Sequence, residues 1–183
     1  RALTFRLNAT MPLDNLEIGV VVQQMIVPEV SGVLFTADPV TDDTHRCVVS
    51  AVWGAGEGLV SRGYDADTFV MRKGGDPIET AIAQKAKRMV FDADAGNGLR
   101  EESVPKERVS TAALSEDAVR DIVRAGCRIE RRCGRPQDIE FCIDGDDVLF
   151  LLQTRPITTV AEYGPAAGNP LIWDNSNIVE SYS

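Results

Sequence analysis

Residues Gln137 to Ile157 read QDIEFCIDGDDVLFLLQTRPI, and this stretch decides the fold. Apolar and polar residues alternate up to Ile143, Asp144-Gly145-Asp146-Asp147 carries turn chemistry, and Val148 to Leu152 resumes as an apolar run. That order predicts a β-hairpin. Side chains alternate across a strand, so Asp138, Glu140 and Cys142 share one face while Ile139, Phe141 and Ile143 share the other. With directly opposed strands, Leu149, Leu151, Gln153 and Arg155 join the acidic face, and Phe150 and Leu152 join Ile139 and Phe141 toward a core. One surface then presents two carboxylates, an amide oxygen and a guanidinium. A magnesium-bound polyphosphate needs such groups: hard oxygens for the ion, and a bidentate cation for phosphate oxygens. The same pattern also describes a hairpin with an ordinary salt-bridged outer face, and the residues alone leave both readings open.

Just before the hairpin, Leu114 to Gly134 predicts a long helix over about 115–133. Ser115 is placed to cap it, Glu116 and Asp117 lie in its first turn, and Gly134 is placed to end it. Ala118, Val119, Ile122, Val123, Gly126 and Ile129 trace a helical apolar stripe. Arg120, Arg124, Arg128, Arg131 and Arg132 fan round the helix, as a solvated or salt-bridged face does. Further upstream, Leu16 to Ile26 and Val30 to Thr36 are β-rich runs separated by Val27-Pro28-Glu29, which suggests an antiparallel pair. Within the first of these, Gln23 lies between Val21 and Met25 and would need a hydrogen-bond partner if buried. Val48 to Trp53, Thr68 to Arg72, Ile78 to Ala83 and Arg88 to Phe91 are further strand candidates. Glycines cluster in the WGAGEGLVSRG segment after Trp53 without the spacing of a Walker A or Rossmann loop, so a tight strand exit is the stronger reading.

The chain has 183 residues and 44% hydrophobic content, enough for one substantial core. A net charge of −9 argues against a nucleic-acid surface or an anionic membrane as partner. No apolar run is long enough to span a bilayer as a helix. The start at Arg1, without Met, is expected of an excised piece rather than a native N-terminus. Cys47, Cys127, Cys133 and Cys142 form no C-x-x-C pair, and His45 completes no zinc set with them. Reduced thiols in a cytoplasmic protein are expected.

The segments VVVQQM, SGVLFTADPVT, VVSAVWGAGEGLVS, YDADTFV, PQDIEF and LLQTRPIT occur in that order from about Gly19 to Thr159. Together they resemble the pyruvate phosphate dikinase and phosphoenolpyruvate synthase family, in the C-terminal portion of its N-terminal ATP-grasp domain. The resemblance implies an α+β ATP-grasp subdomain, mainly antiparallel sheet with the long helix packed on it, over residues 1–159. Residues 160–183 are then a linker and the start of a following domain. It also implies binding of Mg-ATP (cofactors ATP and magnesium) and phosphoryl transfer to a histidine on a separate swivelling domain. By motif position, Gln23 lies near the adenine and ribose. Asp138 and Glu140 match the family's acidic pair, with Glu140 a magnesium ligand. Gln153 matches a ligand to magnesium or phosphate, and Arg155 the catalytic arginine on the terminal phosphates.

The family's lysine and its arginine- and serine-rich motif from the first ATP-grasp subdomain are missing here, as is the segment holding the phosphorylated histidine, which His45 does not match. The resemblance therefore implies one wall of a nucleotide cleft, inactive alone, from a phosphoenolpyruvate synthase-like enzyme. Its partners would be the first subdomain and swivelling domain of the same parent chain, with a small acceptor such as pyruvate. The alternatives are a rifampin phosphotransferase-like dikinase and a non-catalytic nucleotide-binding module.

Overall fold

The computed structural model describes residues 20–92 and 98–158. Their elements are β1 (Pro28–Phe35), β2 (Arg46–Trp53), the short α1 (Glu57–Val60), β3 (Asp67–Arg72), β4 (Pro77–Ala81), β5 (Lys87–Phe91), β6 (Leu99–Ser103), α2 (Glu116–Cys133), β7 (Gln137–Asp144) and β8 (Leu149–Pro156). Six strands form one antiparallel sheet in the order β4-β3-β2-β1-β7-β8, and β5 and β6 pair in a separate ribbon. This is the expected α+β architecture. The chain meanders from β1 to β4, leaves through the ribbon and α2, and returns to lay β7 along the free edge of β1.

Helix α2 covers one face of the sheet, against β1, β2 and β7. The Ser115 hydroxyl accepts from the Ala118 N–H at 3.2 Å, and Gly134 ends the helix at φ +70°. Its buried stripe of Val119, Ile122, Val123 and Cys127 meets Leu34, Val49, Phe69, Ile139 and Phe141 of the sheet. Two glycines make room for close contacts in this core, one between the layers and one within the sheet. A Cβ at Gly126 would lie 2.2 Å from a Leu34 methyl, and one at Gly32 would lie 2.6 Å from the Phe141 ring. Without those side chains, α2 rides low over β1 and the Phe141 ring crosses its registered neighbour.

Among the described residues, the first expected strand does not form. Residues 20–27 belong to no strand, whereas positions 16–19 lie outside the described residues. β1 cannot accept this segment, because β2 and β7 already occupy both of its edges. Two elements were not anticipated. β6 reads LREES, too charged to show alternation, and α1 spans only four residues.

A buried ion pair ties the loops to the sheet. Asp67 opens β3 fully buried, and its carboxylate accepts from Lys85 Nζ, from the Ala83 N–H at 2.8 Å and from the Ala113 N–H at 2.7 Å. Lys85, only 2% exposed, also donates to the Ala83 carbonyl at 3.1 Å. Both charges are thus paired and hydrogen-bonded, as interior charges must be. Lys85→Met should strand the Asp67 carboxylate and cost on the order of 3–5 kcal/mol, read as a lower urea midpoint. Asp67→Asn/Lys85→Met should recover much of the loss, because no buried charge remains.

Candidate functional site

The hairpin puts the four expected residues on one face. In register, Asp138 faces Arg155 and Glu140 faces Gln153 across β7 and β8. The face continues onto β1, where Phe35 neighbours Asp138 and Val33 neighbours Glu140. This surface lies on the side of the sheet away from α2, since Ile139, Phe141 and Ile143 between the polar residues enter the helix-covered core.

A buried polar clamp fixes the hairpin entry. The Thr36 N–H donates to the Gln137 carbonyl at 2.9 Å, and the Gln137 N–H donates back to the Thr36 hydroxyl at 2.8 Å. The Gln137 side chain donates to the carbonyls of Arg135 and Pro136, each at 3.0 Å, and accepts from the Thr154 hydroxyl at 3.0 Å. Every hydrogen-bonding arm of this amide is thereby directed, so the residues that follow start from a fixed backbone.

Arg155 donates from Nε to Asp138 Oδ2 at 2.6 Å. Asp138 is 8% exposed, and its other oxygen, Oδ1, is buried without a hydrogen-bond partner. Such an orphaned carboxylate oxygen is unusual in a folded interior and marks a place for an external donor or cation. Burial pushes the Glu140 carboxyl above its ordinary value, with Asp138 adding to the rise and Arg155 opposing it.

The register shifts between Glu140 and Phe141, which corrects the expected pairing beyond that point. Leu151 pairs with Phe141 and Leu149 with Ile143, so both belong with the core-side rows rather than the acidic face. Phe150 pairs with Cys142, and Leu152, expected in the core, is the inserted residue and 42% exposed. A β-bulge of this kind reverses side-chain phase along one strand. The four site residues lie on the unaltered side of it. Gln23 is exposed and outside every named strand. His45 is an exposed turn residue, as expected. Gly54, at φ +75°, lets the chain pass over the Met89 carbonyl, where a Cβ would come within 2.1 Å. That role is structural.

Among the described residues, no three His, Cys, Asp or Glu side chains gather as metal ligands. The face does suit a hard cation that shares its shell with phosphate oxygens and water, which takes only one or two protein carboxylates. Glu140 can supply one such oxygen and Gln153 an amide oxygen, with Asp138 Oδ1 unpartnered beside them.

The pyruvate phosphate dikinase AMP/ATP-binding domain family matches residues 1–168. The chain belongs to this family. A rifampicin phosphotransferase from Streptomyces sp is 43% identical over 160 residues, covering 87% of this chain and 18% of that protein. One from Bacillus cereus is 36% identical over 160 residues, again 87% and 18%. A probable phosphoenolpyruvate synthase from Pyrococcus horikoshii is 34% identical over 168 residues, covering 88% of this chain and 20% of that protein. The chain thus spans about a fifth of the length of these relatives. No helix among the described residues is long and apolar enough to cross a membrane.

The raised Glu140 carboxyl gives a pH-dependent prediction. Its native proton affinity exceeds the unfolded value, so the benefit to the fold is complete below that unfolded value, about 4.3, and is lost as pH rises through the native one. Glu140→Gln should therefore raise the thermal midpoint at pH 7 in metal-free buffer. The gain should fade as the pH falls well below that unfolded value, where wild-type Glu140 is protonated in both states. Melts of both proteins across this range check the sign.

Proposed function

We propose that this chain forms one wall of a Mg-ATP site of the ATP-grasp kind, in an enzyme that passes a phosphoryl group to a histidine on a separate swivelling domain. The observation that supports it most is the shared face of Asp138, Glu140, Gln153 and Arg155. Asp138 grips Arg155 through Nε, which leaves the two terminal nitrogens of the guanidinium outside that bond. Their N–H groups suit phosphate oxygens in a fork. Asp138 is thus a positioning residue, and Arg155 is the group that meets developing phosphate charge. Glu140 and Gln153 would hold magnesium, which supplies neutralisation of the polyphosphate when bound. Phosphoryl transfer rests on positioning and on several cations acting together, so a second subdomain must contribute the rest. Gln23 would line the adenine and ribose once that subdomain is in place.

For the final acceptor, relatives named rifampicin phosphotransferase reach 43% and 40% identity, against 34% for the phosphoenolpyruvate synthases of Pyrococcus. That difference favours a rifampicin-like hydroxylated acceptor over pyruvate, with the synthase as second reading. The full-length protein, given ATP labelled at both its β- and γ-phosphates with rifampicin or pyruvate, should label a histidine of its own and then rifampicin. Label on pyruvate would establish the second reading instead, and ATP binding without any phosphohistidine would overturn catalysis. Glu140→Gln and Arg155→Ala should each slow histidine labelling about 10²-fold or more with the fold intact.

A further inference from the structure

On the helix side of the sheet, Cys47 of β2 and Cys127 of α2 bring their sulfurs within 3.9 Å. Cys47 is fully buried, and its sulfur also lies 3.9 Å from the Thr36 carbonyl. Cys127 is also buried, at 7% exposed, but it borders open space. It lines a cavity of about 330 Å³ together with Lys73, Glu130, Arg131, Gly134 and Arg135. It also borders a second cavity of about 240 Å³, where Arg120 and Arg124 join Lys73 and Arg131. Lys73 Nζ contacts Glu130 at 2.6 Å, so the acid lining that cavity is already paired.

From this geometry we infer that Cys127 is an oxidant-reactive thiol and Cys47 its resolving partner, a dithiol that closes to a disulfide and staples α2 to β2. The electrostatics agree. A hydrogen bond donated by the Cys47 thiol, with Lys73 and Arg131, lowers the Cys127 thiol to about 7 against burial and Glu130, whereas Cys47 is pushed up. A thiolate beside cations at the wall of a cavity is the reactive form. The other two cysteines lack this arrangement. Cys142 is buried with its thiol pushed up by burial and Asp144, and Cys133 is exposed.

The oxidant class is a hydroperoxide. The Cys127 thiolate attacks the peroxide O–O bond, an S–O bond forms, and the leaving oxygen departs with a solvent proton as water or alcohol. Cys47 sulfur then attacks the sulfenic sulfur, an S–S bond forms, and the displaced hydroxide takes the Cys47 proton and leaves as water. Two thiols lose two electrons in total and the peroxide gains them. The sulfurs must close from 3.9 Å to about 2.05 Å.

The test is peptide mapping of the full-length protein after hydrogen peroxide treatment, with remaining thiols alkylated under denaturing conditions. We expect a disulfide-linked pair of peptides containing Cys47 and Cys127, two hydrogens lighter than the reduced pair, and a higher thermal midpoint without reductant. In Cys47→Ser, or Cys47→Ala if the serine variant does not fold, the sulfenic acid should persist on Cys127 and react with dimedone. Oxidation of Cys133 with Cys127 still reduced, or a Cys127 sulfenic acid in wild type that never links to Cys47, would overturn the inference. The wild-type map alone decides it, even if neither variant folds.

Discussion

The pairing of β7 with β1, locked by Thr36 and Gln137, is the constraint on which the rest depends. These two residues are 101 positions apart, yet they exchange backbone and side-chain hydrogen bonds in the interior. Closing so long a loop is entropically unfavourable, and the return comes only when β7 is fully seated. Seating it places Ile139, Phe141 and Ile143 in the core beneath α2, and turns Asp138 and Glu140 to the opposite face. Core and candidate site are therefore two sides of one strand. Neither can form in an altered register without losing the other.

On the proposed reading, the site face sets folding against binding. Glu140 is held where its charge is poorly solvated, and Asp138 keeps one oxygen unpartnered. An interior optimised for stability alone would satisfy both. On the proposed reading, these groups, left unsatisfied in the free protein and turned to one face, are prepared for a ligand, which lowers the reorganisation needed on binding. The Asp138–Arg155 contact serves the same end, since a guanidinium held by one nitrogen is already oriented.

Much of this was legible in the sequence, for local reasons. Ser115, the apolar stripe and Gly134 sit within one continuous segment, so α2 could be read nearly to the residue. Alternation from Asp138 to Ile143 was enough to place the acids together. The Val148 to Leu152 run is uniformly apolar and has no alternation to read, which is why the bulge and the phase of Leu149 and Phe150 went unseen. Val20, Val21 and Val22 look like a strand by composition, but whether a strand forms depends on an unoccupied edge, and β1 has none. The Asp67–Lys85 pair and the Cys47–Cys127 contact join distant positions with no local mark at either end.

The bulge in β8 divides the hairpin into two independent reading frames. On one side lie the residues that face Asp138 and Glu140, and on the other those that follow the turn. Leu152 is the surplus residue between them, and it is substantially exposed. Removing it would bring Leu151 next to Gln153 and restore an unbroken ladder, with every remaining pair keeping its partner. A length change here would be absorbed without disturbing either half, whereas the same change within β7 would turn the site inside out.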